Sequence, residues 1–212
     1  MSCRLGVHAF MAVLLLAAIL LGILLARTCH AKPLVYLIED SQGLNLSLRP
    51  LVEAQGYEFR VEAIPGSSML SWADHYPKSW ARLRRARPAL LLVSLGSNDA
   101  CMGPRIVQNE EPFLRRFQAK LARVRAGRVV WLGPPAIGST GKLHQAKEGL
   151  LFFVKLIESA GITYLDARSA QVQMWDDQLH CARPTWQNDP AHGCADWAAW
   201  VWTQLIQNGE IP

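Results

Sequence analysis

The chain has 212 residues, half of them hydrophobic, and carries a net charge of +5. That length suffices for one well-buried domain and is too short for two ordinary ones. Twenty-two basic against 17 acidic residues is a modest excess, with Arg4 and Arg27 lying outside the expected domain. The basic runs "ARLRRAR" (81–87) and "FLRRFQAKLARVRAGR" (113–128) read as solvated helix faces rather than a nucleic-acid surface, although they would also suit an anionic envelope polymer or lipid head groups.

Ala9 to Ala26, "AFMAVLLLAAILLGILLA", is an uninterrupted apolar run between Arg4 and Arg27. It belongs to membrane targeting and is set apart from the fold. Cys29-His30-Ala31 offers a small-residue cleavage site, so residues 1–31 are read as a signal peptide or an N-terminal membrane anchor. In either case residues 32–212 form the domain and are exported, to be periplasmic, secreted or membrane-anchored outside the cytoplasm.

Within the domain, short runs rich in apolar and β-branched residues at 34–38, 59–63, 89–95, 128–133 and 162–166 predict strands. Helix-like stretches at about 44–55, 76–86, 109–126, 142–160 and 193–207 separate them. This alternation predicts a parallel sheet of about five strands with helices on both faces, a three-layer α/β/α sandwich. No repeat, low-complexity tract or linker interrupts it.

In such a sheet the ligand site lies beyond the carboxyl ends of the strands. There the chain places Asp40-Ser41 after the first run, Pro65-Gly66-Ser67-Ser68 after the second, and Gly96-Ser97-Asn98-Asp99 after the third. Asp189-Pro190-Ala191-His192 stands before the last helix. Taken singly, each reads as a helix cap or turn. Together they supply every part of a hydrolytic site.

A serine hydroxyl needs an imidazole to take its proton, and the imidazole needs an acceptor to fix its tautomer. Ser41 is the expected nucleophile, His192 the general base and then acid, and Asp189, three residues away, the orienting carboxylate. The backbone N–H groups of Ser41 and Gly66 and the side-chain amide of Asn98 are the expected oxyanion donors, each of which contributes roughly 3 kcal/mol to the barrier when removed singly.

These four blocks resemble those of the SGNH, or GDSL-type, hydrolases. Asp40-Ser41 is similar to the first, Gly66 to the second, "GSND" (96–99) to the third and "DxxH" (189–192) to the fourth; the helix "GCADWAAWVW" resembles the one that follows the family's His. The resemblance spans nearly all of 34–207. It implies a flavodoxin-like sandwich, and esterase, lipase, thioesterase or carbohydrate-deacetylase activity without a cofactor. Glu39 stands where the family usually has Gly, and Gln42 where it usually has Leu. The Glu39 carboxylate either points away from the site or adds a charge that opposes the oxyanion while favouring the imidazolium.

"AIGSTGKL" (136–143) follows a strand but lacks the first Gly and the final hydroxyl of a phosphate-binding loop. His30, His144, His180 and His192 have no metal-ligand spacing with the cysteines, so no zinc site is expected. Of eight tryptophans, Trp197, Trp200 and Trp202 are expected in the core, whereas Trp72 and Trp80, after the Gly66 loop, are expected to line a substrate groove. Cys181 and Cys194 bracket the segment with Asp189 and His192; either they pair, or both are free, or Cys101 takes one of them.

The sequence therefore points to an exported serine esterase acting on an acylated small molecule, lipid or glycan, with an O-acetyl group on an envelope glycan as one substrate. An acyltransferase with the same triad and a catalytically silent glycan- or protein-binding module remain alternatives. No nucleic-acid partner is expected; the membrane is a partner through the N-terminal segment if that is uncleaved.

Overall fold

The computed structural model describes residues 31–40, 44–103, 107–133, 143–166 and 195–211. The compact unit that carries the sheet begins at Pro33. Its elements, in chain order, are β1 (Leu34–Glu39), α1 (Leu44–Ala54), β2 (Glu58–Ala63), α2 (Met69–Asp74), α3 (Pro77–Ala86) and β3 (Leu90–Ser94). They continue as α4 (Ser97–Cys101), α5 (Glu111–Ala122), β4 (Arg128–Leu132), α6 (Leu143–Ser159), β5 (Thr163–Leu165) and α7 (Ala195–Gln207). The five expected strands are all present. The short helices α2 and α4 fall in stretches expected to be loop.

All strand pairs are parallel, in the order β2-β1-β3-β4-β5. The central strands are buried along their length, as a sheet covered on both faces requires: every residue of β3 is buried. Side chains alternate between two cores. Val35, Leu37, Leu90 and Leu92 meet α1 and α7 on one face, where Leu48, Val52, Trp197 and Val201 pack. Tyr36, Ile38, Leu91 and Val93 meet α2, α3 and α5 on the other, with Met69, Leu83 and Phe117. Trp197 and Trp202 are buried in the first core and Trp200 packs partly buried against it, as expected.

An aromatic row runs through the second core. Trp72 meets Trp80 edge-on at 5.5 Å between centroids, Trp80 meets Phe117 at 5.4 Å, and Phe117 meets Trp131 at 5.3 Å. Phe153 of α6 closes the row at 5.7 Å from Trp131. Edge-to-face contacts of this kind add to the large area the rings bury. The expectation that Trp72 and Trp80 line a groove is thereby corrected, for they are 0% and 1% exposed. Their polar ends are also engaged inside: Trp72 Nε1 donates to Ser67 Oγ at 3.2 Å and Trp80 Nε1 to the Trp72 carbonyl at 3.0 Å.

Candidate active site

The register brings three of the four sequence blocks to one edge. Glu39 at the end of β1 lies beside Ala63 of β2 on one side and Ser94 of β3 on the other. The loops that leave these strands, carrying Asp40, Gly66 and Asn98, therefore start level with one another. Ser41, Gln42, Asp189 and His192 lie outside the described residues, as do Cys181, most of 136–143 and the cysteine pairing.

The second block begins with a tight turn. Ser67 N–H donates to the Ile64 carbonyl at 3.0 Å, with Pro65 and Gly66 between them. Gly66 has φ +72°, the left-handed value that the third residue of a type II turn needs and that glycine adopts without strain. A Cβ there would meet nothing within 4 Å, so glycine is required by the backbone angle and not by crowding. Beyond the turn, Ser68 caps α2: its hydroxyl accepts from Ser71 N–H, and its own N–H donates to Ser71 Oγ.

The third block grips the second. Asn98 Nδ2 donates to the Ser67 carbonyl at 2.8 Å and to Asp40 Oδ2 at 3.3 Å. Asp40 is 1% exposed and also accepts the Ser97 hydroxyl at 2.6 Å. Asp40 directly precedes Ser41, so Asn98 is held one residue along the chain from the expected nucleophile and one residue from Gly66.

Asp99, expected as a cap or turn residue, caps a helix other than its own. Its carboxylate accepts Met69 N–H at 2.9 Å and Leu70 N–H at 3.3 Å, satisfying the first turn of α2 from thirty residues away. Burial pushes its pKa up to about 6, against the lowering effect of those amides. Close to it, Glu110 is 1% exposed with neither carboxyl oxygen hydrogen-bonded. Burial first, and then the Asp99 charge, push Glu110 up to about 8. Sequence reasoning missed Glu110; a polar residue before an amphipathic helix looks like any exposed helix start.

Glu39 is fully buried. By strand alternation it continues the series of Val35 and Leu37, on the face of α1 and α7, whereas Asp40 continues that of Tyr36 and Ile38. The two adjacent carboxylates thus leave the strand end on opposite faces. Gly96, which opens the third block, has φ +124°, and a Cβ on it would overlap the ring of Phe153.

Solved structures similar to this one include proteins described as lipases, acylhydrolases and esterases. A lipase/acylhydrolase from Enterococcus faecalis aligns with a TM-score of 0.54 at 14% identity, over 85% of this chain and 98% of that one. At such identity the likeness is one of fold, a five-stranded parallel sheet between helices. An acetyl-xylooligosaccharide esterase from a Geobacillus has a TM-score of 0.54 at 12% identity, over 84% of this chain and 94% of that one. A Bacteroides ovatus protein described as a GDSL-like lipase reaches 0.61 at 10% identity, over 86% of this chain but only 55% of that one. No family model and no curated relative matches the chain. Among the described residues, no three His, Cys, Asp or Glu side chains are grouped so as to hold a metal ion.

Proposed function

We propose that the chain is an exported serine esterase that removes an O-acyl group, with Ser41, His192 and Asp189 as its triad. The observation that carries this reading is the position of Asn98. Its amide is held between the Ser67 carbonyl, beside Gly66, and the carboxylate of the residue before Ser41. Gly66, Asn98 and Asp40, the residue before the expected nucleophile, thus belong to three loops that leave the sheet at one level. In the first step the Ser41 oxygen attacks the ester carbonyl as His192 takes its proton. The bond to the alcohol then breaks, and His192 returns the proton to the departing oxygen. Water repeats the sequence on the acyl-enzyme and releases the acid.

An acetyl group on a glycan is the favoured substrate, in keeping with the expected export of the domain and supported by the likeness to an acetyl-xylooligosaccharide esterase. The buried Trp72 and Trp80 lend it no support. The test is hydrolysis of p-nitrophenyl acetate and of acetylated xylo-oligosaccharides by wild type and by Ser41→Ala, His192→Ala and Asp189→Asn. The first two variants should lose nearly all activity, and the third should keep a small residue, because tautomer control is lost while nucleophile and base remain. Equal rates for wild type and Ser41→Ala would leave a silent binding module as the better account.

A further inference from the structure

The arginines of the described residues divide into two sets. Arg49, Arg60, Arg82, Arg115, Arg116 and Arg128 are each paired with a carboxylate, respectively of Glu53, Glu58, Glu62, Glu111, Asp74 and Glu210. Arg84, Arg85, Arg87, Arg123 and Arg125 have exposed side chains and no carboxylate partner among the described residues.

All five unpaired arginines lie at the same end of the sheet. Arg84 and Arg85 are in the last turn of α3 and Arg87 caps it, just before β3 starts; Arg123 and Arg125 follow α5, just before β4 starts. Backbone bonds tie these segments together and to the start of β1: Ala89 N–H donates to the Leu34 carbonyl, and Gly127 N–H to that of Pro88. Arg84, Arg85 and Arg87 line a shallow open depression with Ala81. Of the acids at this end, Glu53, Glu58 and Glu210 are taken up by their own arginines, and Glu158 closes the neighbouring helix α6. Two of the unpaired arginines stand in left-handed backbone, Arg87 at φ +45° and Arg125 at φ +56°, a conformation that an exposed Asn or Gly would fill with less strain.

The domain also begins at this edge. Glu58 N–H donates to the Pro33 carbonyl at 3.0 Å, so the chain enters the sheet-bearing unit at the amino ends of the strands, and the apolar run 9–26 precedes that point in sequence. The candidate active site is at the opposite, carboxyl ends. We propose that the amino-end edge is the face the domain turns to an anionic phospholipid bilayer, with the five arginines meeting lipid phosphates. Guanidinium groups suit this task because they bind phosphate oxygens in pairs. The apolar run supplies the second membrane signal, as stable surface binding needs more than one. Docked so, the candidate active site faces away from the lipid. The proposal rests on the reading of residues 9–26 as membrane-seeking and stands apart from the esterase reading.

The test uses the full chain in vesicles of phosphatidylcholine, with and without phosphatidylglycerol, treated with phenylglyoxal and mapped by mass spectrometry. Modification of Arg84, Arg85, Arg87, Arg123 and Arg125 should slow about fivefold or more in the anionic vesicles, the factor expected for one arginine at such a surface. Arg115, exposed and nearer the other end of α5, should react equally in both. Equal rates at the five arginines, or the same slowing at Arg115, would overturn the proposal. Protection by a soluble anionic glycan without protection by anionic vesicles would replace the bilayer with a polymer and overturn it too.

Discussion

Replacing Glu110 by Gln tests the electrostatics beneath the candidate site. The wild-type carboxyl is buried without a hydrogen bond and titrates at about 8, against the 4.5 of a free glutamate. The native state therefore binds more protons than the unfolded chain between those values, so this group's stabilising contribution is complete below pH 4.5 and is lost as pH rises to 8. At about 1.4 kcal/mol per pKa unit an isolated group would lose roughly 4 to 5 kcal/mol across that window. Part of this loss falls below pH 5 and the group is half ionised at pH 8, so roughly 3 kcal/mol of it lies between those two values. Gln keeps the shape and cannot ionise. Urea unfolding at several pH values should give similar stabilities for the two proteins near pH 5 and an advantage of about 3 kcal/mol for the Glu110→Gln protein near pH 8. Titrating groups other than its neighbour Asp99 cancel in the difference. Parallel curves, or a weaker variant at pH 8, would mean that Glu110 is ionised in the fold, and the reasoning would fail.

Two further substitutions probe the loops. Asn98→Ala should lower kcat for p-nitrophenyl acetate about 10²- to 10³-fold with little change in KM, the loss expected for one oxyanion donor; a loss under about tenfold would take Asn98 out of that role. Gly96→Ala combines a disfavoured φ with overlap on the buried Phe153 ring, so a loss of roughly 3 to 5 kcal/mol is expected. Calorimetry should then find Tm lower by about 10 °C, whereas a shift within about 2 °C would show that the Phe153 ring moves aside readily.

The sheet was legible because a strand covered on both faces carries a near-continuous apolar run, and "LVYLI" and "ALLLVSL" cannot be solvated as anything else of that length. The helix α2 was not. Its six residues are too few to display a period, and its cap, Ser68 with Ser71, lacks the acidic partner that marks a capping box in sequence. It is held instead by Asp99, a tertiary contact that no local window contains. Trp72 and Trp80 failed for a related reason: their place after the Gly66 loop is correct, but which way an indole points depends on Ser67, Phe117 and the α5 layer that covers it. The complete burial of Glu39 could not be foreseen from a strand end.

The same contacts explain why the second and third blocks belong to one rigid edge. Asn98 holds Ser67 while Asp99, its neighbour in α4, holds Met69 and Leu70, so the loop from Gly66 to α2 is fastened on both sides of its cap. At neutral pH the Asp99 and Glu110 pair carries one negative charge, and it resides on Asp99 because two backbone N–H groups stabilise it there while Glu110 has none. An ionised Asp99 strengthens its bonds to those amides. The charge that adds to burial in keeping Glu110 neutral is thus the charge that clamps the Gly66 loop. A second carboxylate so close could not ionise without loosening that clamp, and this is a structural reason for Glu110 to remain buried and protonated beneath the expected oxyanion donors.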